Sequence, residues 1–524
     1  DVYCQYAHES SAKIFQQDGF SPLYDEGWNF ETIRKENLFL QKVGNCEMDE
    51  SLRERFKAEV RAMRAWTYLG MTMTFGKVPL ITEVLDYNSP NIPRDEVSVI
   101  RDFIMKELTE AAAILPEKYT GGYPNEKGRI TKYACLSLKA RAALYFGDYA
   151  LAETTAKEVM DKGGFSLFKI SSLSEAQKKE AEEMSLYIDF EEKGIDKDEF
   201  IKGMFNYEAL WHTENANPDN PEYIMTRQYA ASSWDYQDMT RYTSMRPNQL
   251  GGWSSVTPTQ NLVDAYWGVD GHSVPQLPTP EERAKAYNEI KADLDAYQKP
   301  EGEAKFIAFC QEKIKNGTLK DYKYIQEFRN RDSRMYVSIL MPFKSWYESN
   351  YGDKFVYEWI KNGNNESKTG FNFRKMLSLE NDANGDGQAT GDYPCIRYAE
   401  ILLIYAEAHT QTTGYDAATE AALNQLRDRC GMPDVPSGLS KEEGLKLIQN
   451  ERRIELAGEG FRGDDMTRYS DGYWKEHMNN VPIMTPDGDT ELTMKWSSRM
   501  RLKPIPQTAI DLNPLLAGDQ NPGY

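Results

Sequence analysis

The chain has 524 residues, 40% of them hydrophobic and 27% charged; that is a globular composition, and too long for one simple core, so two or more packed regions are expected. No apolar run approaches the roughly 18 residues of a membrane-spanning helix. A net charge of −20 argues against nucleic acid or anionic lipid as the main partner, since both recruit basic surface.

The opening DVYCQYAHESS has neither the basic stretch nor the apolar core of a signal peptide. It reads as if it began in mid-domain, and a processed or trimmed N-terminus is the expectation. The six cysteines are scattered with no C-x-x-C, which favours buried free thiols without excluding disulfides. The five histidines lack zinc-ligand spacing.

Residues 51–75 read as a helix with Phe56, Val60 and Met63 as its apolar face and Arg61 and Arg64 one turn apart. Gly76 ends it. VPLIT follows as an extended piece, then the polar loop Glu83–Pro93. Asp95 or Glu96 starts a second helix, with Val97, Ile100, Ile104, Leu108, Ala111 and Leu115 at spacings of three or four, stopped by Pro116. Residues 131–162 form a helix pair broken at Gly147-Asp148, with small residues at facing positions. Such a pair resembles a tetratricopeptide unit and must stack on neighbours to bury its faces.

From about 165 to 390 the helical periodicity fades, apart from charged helices near 280–297 and 303–316. The rest reads as a long irregular insertion packed on the helices, and long irregular connections are usually functional. The runs 171–203 and roughly 276–326 look like charged insertions. Periodicity resumes over Tyr393–Thr410, Ala417–Cys430 and Lys441–Ala457, and a Pro/Gly/Asn-rich tail closes the chain. In Tyr393–Ala408 the residues Tyr398, Ile401, Leu402, Tyr405 and Ala406 share one face, with Arg397, Glu400 and Glu407 as ion-pair candidates. These three are expected to tie onto Arg61/Arg64 and onto the cluster Glu451–Arg468. The division is 1–164 (helical), 165–392 (loop-rich) and 393–524 (helical plus tail), as one compact unit.

Two clusters carry possible chemistry. Glu451 and Glu455 share a helix face and are either an acid/base or metal pair or ion-pair partners of the interleaved arginines; the three neighbouring arginines favour the second. The loop Asp382–Asp392 reads D-x-N-x-D-G, the first half of a calcium loop, with Asp382, Asn384, Asp386, Gln388 and Asp392 as oxygen ligands. Tyr393 stands where the closing glutamate belongs, so a plain polar turn competes with a structural calcium.

Aromatic residues make up 12% of the chain. Trp28, Trp211, Trp234, Trp253, Trp267 and Trp346 lie in polar, irregular surroundings. Rings on irregular segments either stack on ligands such as sugars or pack their own loops. Trp234, Tyr236, Trp253, Trp346 and Tyr347 are the candidate platforms, with Asp235, Arg241 and Asn248 as hydrogen-bonding neighbours.

FKAEVRAMRAWTYLGMTMTFGKVPLIT, GRITKYACLSLKARAALYFGDYALAETTAKEVM, TPTQNLVDAYWGVDGHSVP, YPCIRYAEILLIYAEAH, NERRIELAGEGFRGDDMTRY and PIPQTAIDLNPLLAGDQNPGY, in this order, resemble the signatures of the SusD/RagB family. The resemblance implies a mostly α fold, with tetratricopeptide-like helix pairs supporting a large loop-rich ligand face. It implies a non-catalytic, lipid-anchored protein at the outer-membrane surface that binds oligosaccharide and delivers it to a SusC-like TonB-dependent transporter, without a required cofactor. Peptide or other nutrient capture is the alternative, and a glycoside hydrolase using Glu455 and Asp464 a third reading. The loop after VPLIT often contributes to binding in this family; here it offers Tyr87 and Asn88. The family's precursors carry a lipidated cysteine ahead of the first helices, and Cys4 is not expected to be that residue.

Overall fold

The computed structural model describes residues 1–5, 12–86, 88–120, 126–229, 245–347, 355–377 and 391–524. The longer elements are numbered here in chain order. Helices α1 (Phe30–Lys42), α2 (Glu50–Phe75), α3 (Val97–Ile114), α4 (Lys132–Tyr145) and α5 (Tyr149–Lys162) form the N-terminal part. Side chains cap the starts of α2, α4 and α5: Asp49 accepts from the Ser51 and Leu52 amides, Thr131 from Ala134 and Asp148 from Leu151. Gly147 adopts φ 75° in the turn joining α4 to α5, which favours glycine.

The buried face of α2 differs from the one its large residues suggest. Ala58, Ala62, Ala65, Tyr68 and Leu69 are buried, whereas Met63 is 37% exposed. Alanine is the best helix former and admits close helix packing, so a small-residue stripe carries the contact. The stripe expected on α3 is buried from Ile100 to Leu115.

The middle of the chain is more helical than its periodicity suggests. It holds α6 (Glu175–Glu183), α7 (Lys197–Ala209), α8 (Pro280–Ala296), α9 (Lys305–Lys315) and the short α10 (Ser333–Ser338). Strand β1 (Tyr223–Arg227) lies before α8; β2 (Ser345–Trp346) and β3 (Phe355–Val356) pair as a hairpin after α10. This part has its own core, including Phe200, Met204, Tyr287, Phe309, Tyr336 and Trp346. It therefore carries a core of its own besides its irregular segments. Its helices escape sequence reading because α7 is buried on nearly every side, so no polar face marks a period.

The last part holds β4 (Tyr393–Arg397), α11 (Tyr398–Thr412), α12 (Ala417–Arg429), α13 (Lys441–Glu455), α14 (Phe461–Arg468) and α15 (Asp471–Met478). The expected helix start at Tyr393 is five residues early. Pro394 and the alternation of YPCIR suit a strand, which pairs antiparallel with β1, Arg397 opposite Tyr223 and Tyr393 opposite Arg227. Helices α11 to α13 bury their apolar faces in one core with α2 to α5. The middle part docks onto them where α7 crosses the end of α12. A Cβ on Gly203 would overlap the Gly431 backbone, and the Asn206 amide donates to the Arg429 carbonyl at 2.9 Å.

Charge locks this joint. Glu455 is fully buried and accepts from Arg334 at 3.0 Å, from Arg397 at 2.7 Å and from Arg429. Around it Arg334 also meets Asp332 and Glu451, Arg397 meets Glu222 and Glu459, Arg427 meets Glu451, and Lys375 meets Glu459. Five carboxylates thus balance five cations, all shielded from water. Arg397 and Glu407 make the expected ties to the C-terminal cluster, Glu407 through Arg468. Glu400 instead meets Arg141 of α4 at 2.6 Å, while Arg61 and Arg64 turn to Glu107 of α3. The charged run 171–203 joins the scheme: Glu180 accepts from Lys344 and Arg374 at 2.7 and 2.6 Å. No disulfide joins any of the six cysteines, four of which are buried. No described helix is long and apolar enough to cross a membrane.

Candidate ligand-binding site

The loop after VPLIT is fixed at its root by polar side chains from α1 and α2. The Asn37 amide donates to the carbonyls of Ile81 and Glu83 at 3.0 and 3.1 Å. Its oxygen accepts from Arg64 at 2.7 Å, and Arg64 also reaches the Thr82 carbonyl and Glu107. The Tyr68 hydroxyl donates to the Ile81 carbonyl and accepts from the Ile81 amide. Further along, Arg34 donates to the Leu85 carbonyl at 3.1 Å. Side chains that each bond the loop's backbone, as Asn37, Arg64 and Tyr68 do from within the fold, hold that backbone in one place.

Beside this root lies an open cavity of about 510 Å³. Its polar wall includes Gln41, Glu54, Lys57, Arg61 and Glu83. Arg61 is held charged, its pKa raised by the hydrogen bonds to Glu107 and Glu110. The side chains of Gln41 and Glu83 are exposed and make no hydrogen bond to another described residue. A donor and acceptor set next to fixed charges, in a wet concavity, suits a ligand rich in hydroxyls. In the sequence, Arg61 and Arg64 of this face read as ion-pair partners only, and the rest of the wall has a signal of its own. Arg34, Asn37 and Gln41 on α1, and Glu54, Lys57, Arg61 and Arg64 on α2, recur at three- and four-residue spacing, which puts each set on one helix face.

Asn88 is exposed in the turn closing this loop, where the Ser89 amide donates to the Asp86 carbonyl at 3.0 Å. Tyr87, Trp234 and Tyr236, with Asp235 and Arg241, lie outside the described residues. Trp253 is 44% exposed on a tight loop with Gly251 and Ser254 at φ 79° and 45°. Asn248 is exposed on the same loop. That loop is pinned from two sides: Gln5 donates to the Trp253 carbonyl at 3.1 Å, and Gln249 accepts from the Glu358 amide. No described hydrogen bond or ring contact joins the Asn88 and Trp253 loops.

Trp346 is not a platform. It is 1% exposed within the middle core, and the Arg374 guanidinium lies over its ring at 5.0 Å. Tyr347 is half-buried and its hydroxyl donates to Glu183 at 2.5 Å, so its polar end is engaged within the protein. Trp211 and Trp267 are buried too; Trp211 faces Lys375 and Arg397, and Trp267 donates to Glu451. These rings shield the buried charges, and packing accounts for them.

Of the calcium-loop residues, Asp382, Asn384, Asp386 and Gln388 lie outside the described residues. Asp392 is buried, and its carboxylate accepts from the Tyr229 amide at 3.2 Å and from Thr226 at 3.4 Å. Burial raises its pKa. Glu455, read as one half of a hydrolase pair, is held ionised by Arg429, Arg397 and Arg334 against its own desolvation. A carboxylate so held cannot serve as a general acid.

A profile of the SusD family matches residues 221–524. A SusD-like protein of Formosa agariphila is 23% identical over 486 residues, covering 88% of this chain and 73% of that protein. Among solved structures, a SusD-like protein of Bacteroides fragilis superposes with a TM-score of 0.74 at 25% identity, covering 100% of this chain and 92% of its own. A second structure from Bacteroides fragilis, described as a SusD-like carbohydrate binding protein, gives 0.68 at 20% identity over 96% of this chain and 88% of its own. The profile spans more than half of the sequence and the fold agrees along its whole length: the chain belongs to the SusD family.

Proposed function

We propose that this chain binds oligosaccharide at the outer-membrane surface, without transforming it, and delivers it to a SusC-like TonB-dependent transporter. The observation that carries this reading is the polar cavity at the root of the Glu83–Pro93 loop. Family membership and the carbohydrate-binding Bacteroides structure support the ligand class. Sugar hydroxyls pair with groups such as the Gln41 amide and the Glu83 carboxylate, while Asn88 and the exposed ring of Trp253 sit on separately anchored loops. A non-catalytic role agrees with the sequestration of Glu455.

An affinity-gel and calorimetric panel of neutral and acidic polysaccharides tests the reading. Saturable binding is expected for at least one glycan, weakened about 30-fold by Gln41→Ala combined with Glu83→Ala, since two hydrogen bonds of roughly 1 kcal/mol each are lost. Tight binding of peptides and none of glycans would move the same architecture to peptide capture. Co-purification with a TonB-dependent transporter tests delivery.

A further inference from the structure

The cations around the loop cavity are neutralised within the protein. On α2, Lys57 bonds Glu54 at 2.6 Å. Arg61 bonds Glu107 of α3 at 2.7 Å and also meets Glu110. Arg64 is buried; it pairs with the second oxygen of Glu107 at 2.8 Å and donates to the Asn37 oxygen at 2.7 Å. Each cation of the wall thus has a carboxylate of its own protein beside it.

Glu83 has no such counterpart. It lines the cavity, its side chain is exposed, and it makes no hydrogen bond or ion pair with another described residue. The wall and its bonded partners therefore hold four carboxylates, Glu54, Glu83, Glu107 and Glu110, against three cations. Further along the loop the exposed Arg34 donates to the Leu85 carbonyl at 3.1 Å, and the next residue, Asp86, is exposed and carries the opposite charge. The chain as a whole carries −20, so its long-range field also disfavours an approaching anion.

This arrangement treats two kinds of sugar differently. An ammonium has three N–H groups, and Glu54 is the one described hydrogen-bond partner of the partly exposed Lys57. A sugar hydroxyl can accept from Lys57 and donate to Glu83 without bringing in charge. A uronate carboxylate or a sulfate ester needs a cation to offset it. Recruiting Lys57 or Arg61 for that purpose takes charge away from Glu54 or Glu110, and the anion then lies in the same cavity as Glu83. Like charges placed together are a means of rejecting a ligand.

We propose that the loop cavity sorts glycans by charge: it takes uncharged oligosaccharide and disfavours chains bearing carboxylate or sulfate groups, with Glu83 setting the discrimination. The inference rests on the glycan reading of this cavity.

The test is calorimetry on the full natural protein with dextran, amylose, laminarin and galactomannan, each compared with its lightly sulfated derivative and with an acetylated derivative of equal substitution, which adds bulk without charge. For a neutral glycan that binds, the sulfated form is expected to bind about threefold or more weaker than the acetylated form, the size of one like-charge contact in water. The gap should widen at 20 mM salt and close toward 1 M, where the Debye length is about 3 Å. Glu83→Gln should narrow the ratio and Glu83→Lys should reverse it; Glu83 is exposed, and an unchanged urea midpoint checks that both variants fold. Sulfated and acetylated forms binding alike, a gap indifferent to salt, or a ratio unmoved by Glu83→Lys overturns the proposal. Binding of sulfated glycans in preference to neutral ones leaves glycan capture standing and overturns the sorting; binding of neither overturns both.

Discussion

Substituting Glu455 by glutamine tests whether the buried charge cluster holds the parts of the chain together. Glu455 is fully buried, and three guanidinium groups converge on it. Glutamine keeps its shape and one acceptor oxygen but removes the charge. The cluster is then left with four carboxylates against five cations, an unbalanced positive charge out of reach of water. Breaking a buried pair from one side costs roughly 3–5 kcal/mol, and the remaining partners Asp332, Glu222, Glu459 and Glu451 soften rather than cancel this. Urea unfolding followed by tryptophan fluorescence should show the midpoint of the first transition shifted down by an amount equivalent to about 3 kcal/mol or more. The exposed Glu442, paired with Lys446 one turn along α13, is the control, and Glu442→Gln should leave the midpoint in place. A shift at Glu455 below about 1 kcal/mol, the scale of an ordinary surface pair, would refute the reasoning.

Acid should act through the same groups. Arg374 and Lys344 hold Glu180 at a pKa of about 2, and Glu451 and Glu459 are likewise lowered by their cationic partners. Their stabilisation is complete above the unfolded carboxyl pKa near 4.3 and fades as pH falls toward 2, so a steep acid transition is expected; a flat stability profile from pH 5 to 2 would contradict it. Glu366 has the opposite sign. Burial raises it to about 7, so its contribution is fullest below about pH 4.3 and is lost as pH rises through 7. Glu366→Gln should therefore raise the thermal midpoint at pH 8.5 relative to pH 5, and an equal effect at both would count against this. His409 sits between Glu153 and Asp416 at 2.8 and 3.1 Å, and these hydrogen bonds raise its pKa against desolvation. Its stabilisation is present below about pH 6.5 and disappears as pH rises through the raised value; His409→Ala should destabilise more at pH 6 than at pH 8.5, and an NMR titration midpoint below 6.5 would exclude the mechanism. Trp346→Ala should destabilise by about 3–5 kcal/mol, whereas Trp253→Ala should leave stability in place and weaken glycan binding.

Helices such as α3, α8 and α13 are legible because their apolar residues recur at three- and four-residue spacing, and α8 and α13 also have recognisable caps. Ser440 and Glu443 form a reciprocal capping box before α13, and Thr279 and Glu282 do so before α8. Legibility fails where burial is uniform. Helix α7 gives no periodic contrast, and β4 runs into α11 with both elements apolar. The charge ties were predicted by type more securely than by partner. Arg397 pairs with Glu455 and Glu459 as its neighbourhood suggests, but Glu400 chooses Arg141, 259 positions away, a pairing set by packing alone. The candidate platforms were picked from local polarity, which does not separate an exposed ring from one buried under distant elements. Trp253 and Trp346 read alike in sequence, and one is 44% exposed and the other 1%. The polar faces of α1 and α2 are periodic, but Arg61 and Arg64 read there as ion-pair partners only, and no aromatic platform marks the wall as a ligand surface.

Glycan capture itself is tested most directly by titrating the purified protein with a panel of polysaccharides in a calorimeter. A saturable heat with at least one of them is predicted, reduced by Gln41→Ala with Glu83→Ala while the unfolding midpoint stays fixed. Absence of any saturable glycan heat across the panel, with peptides binding tightly to the same preparation, would contradict it.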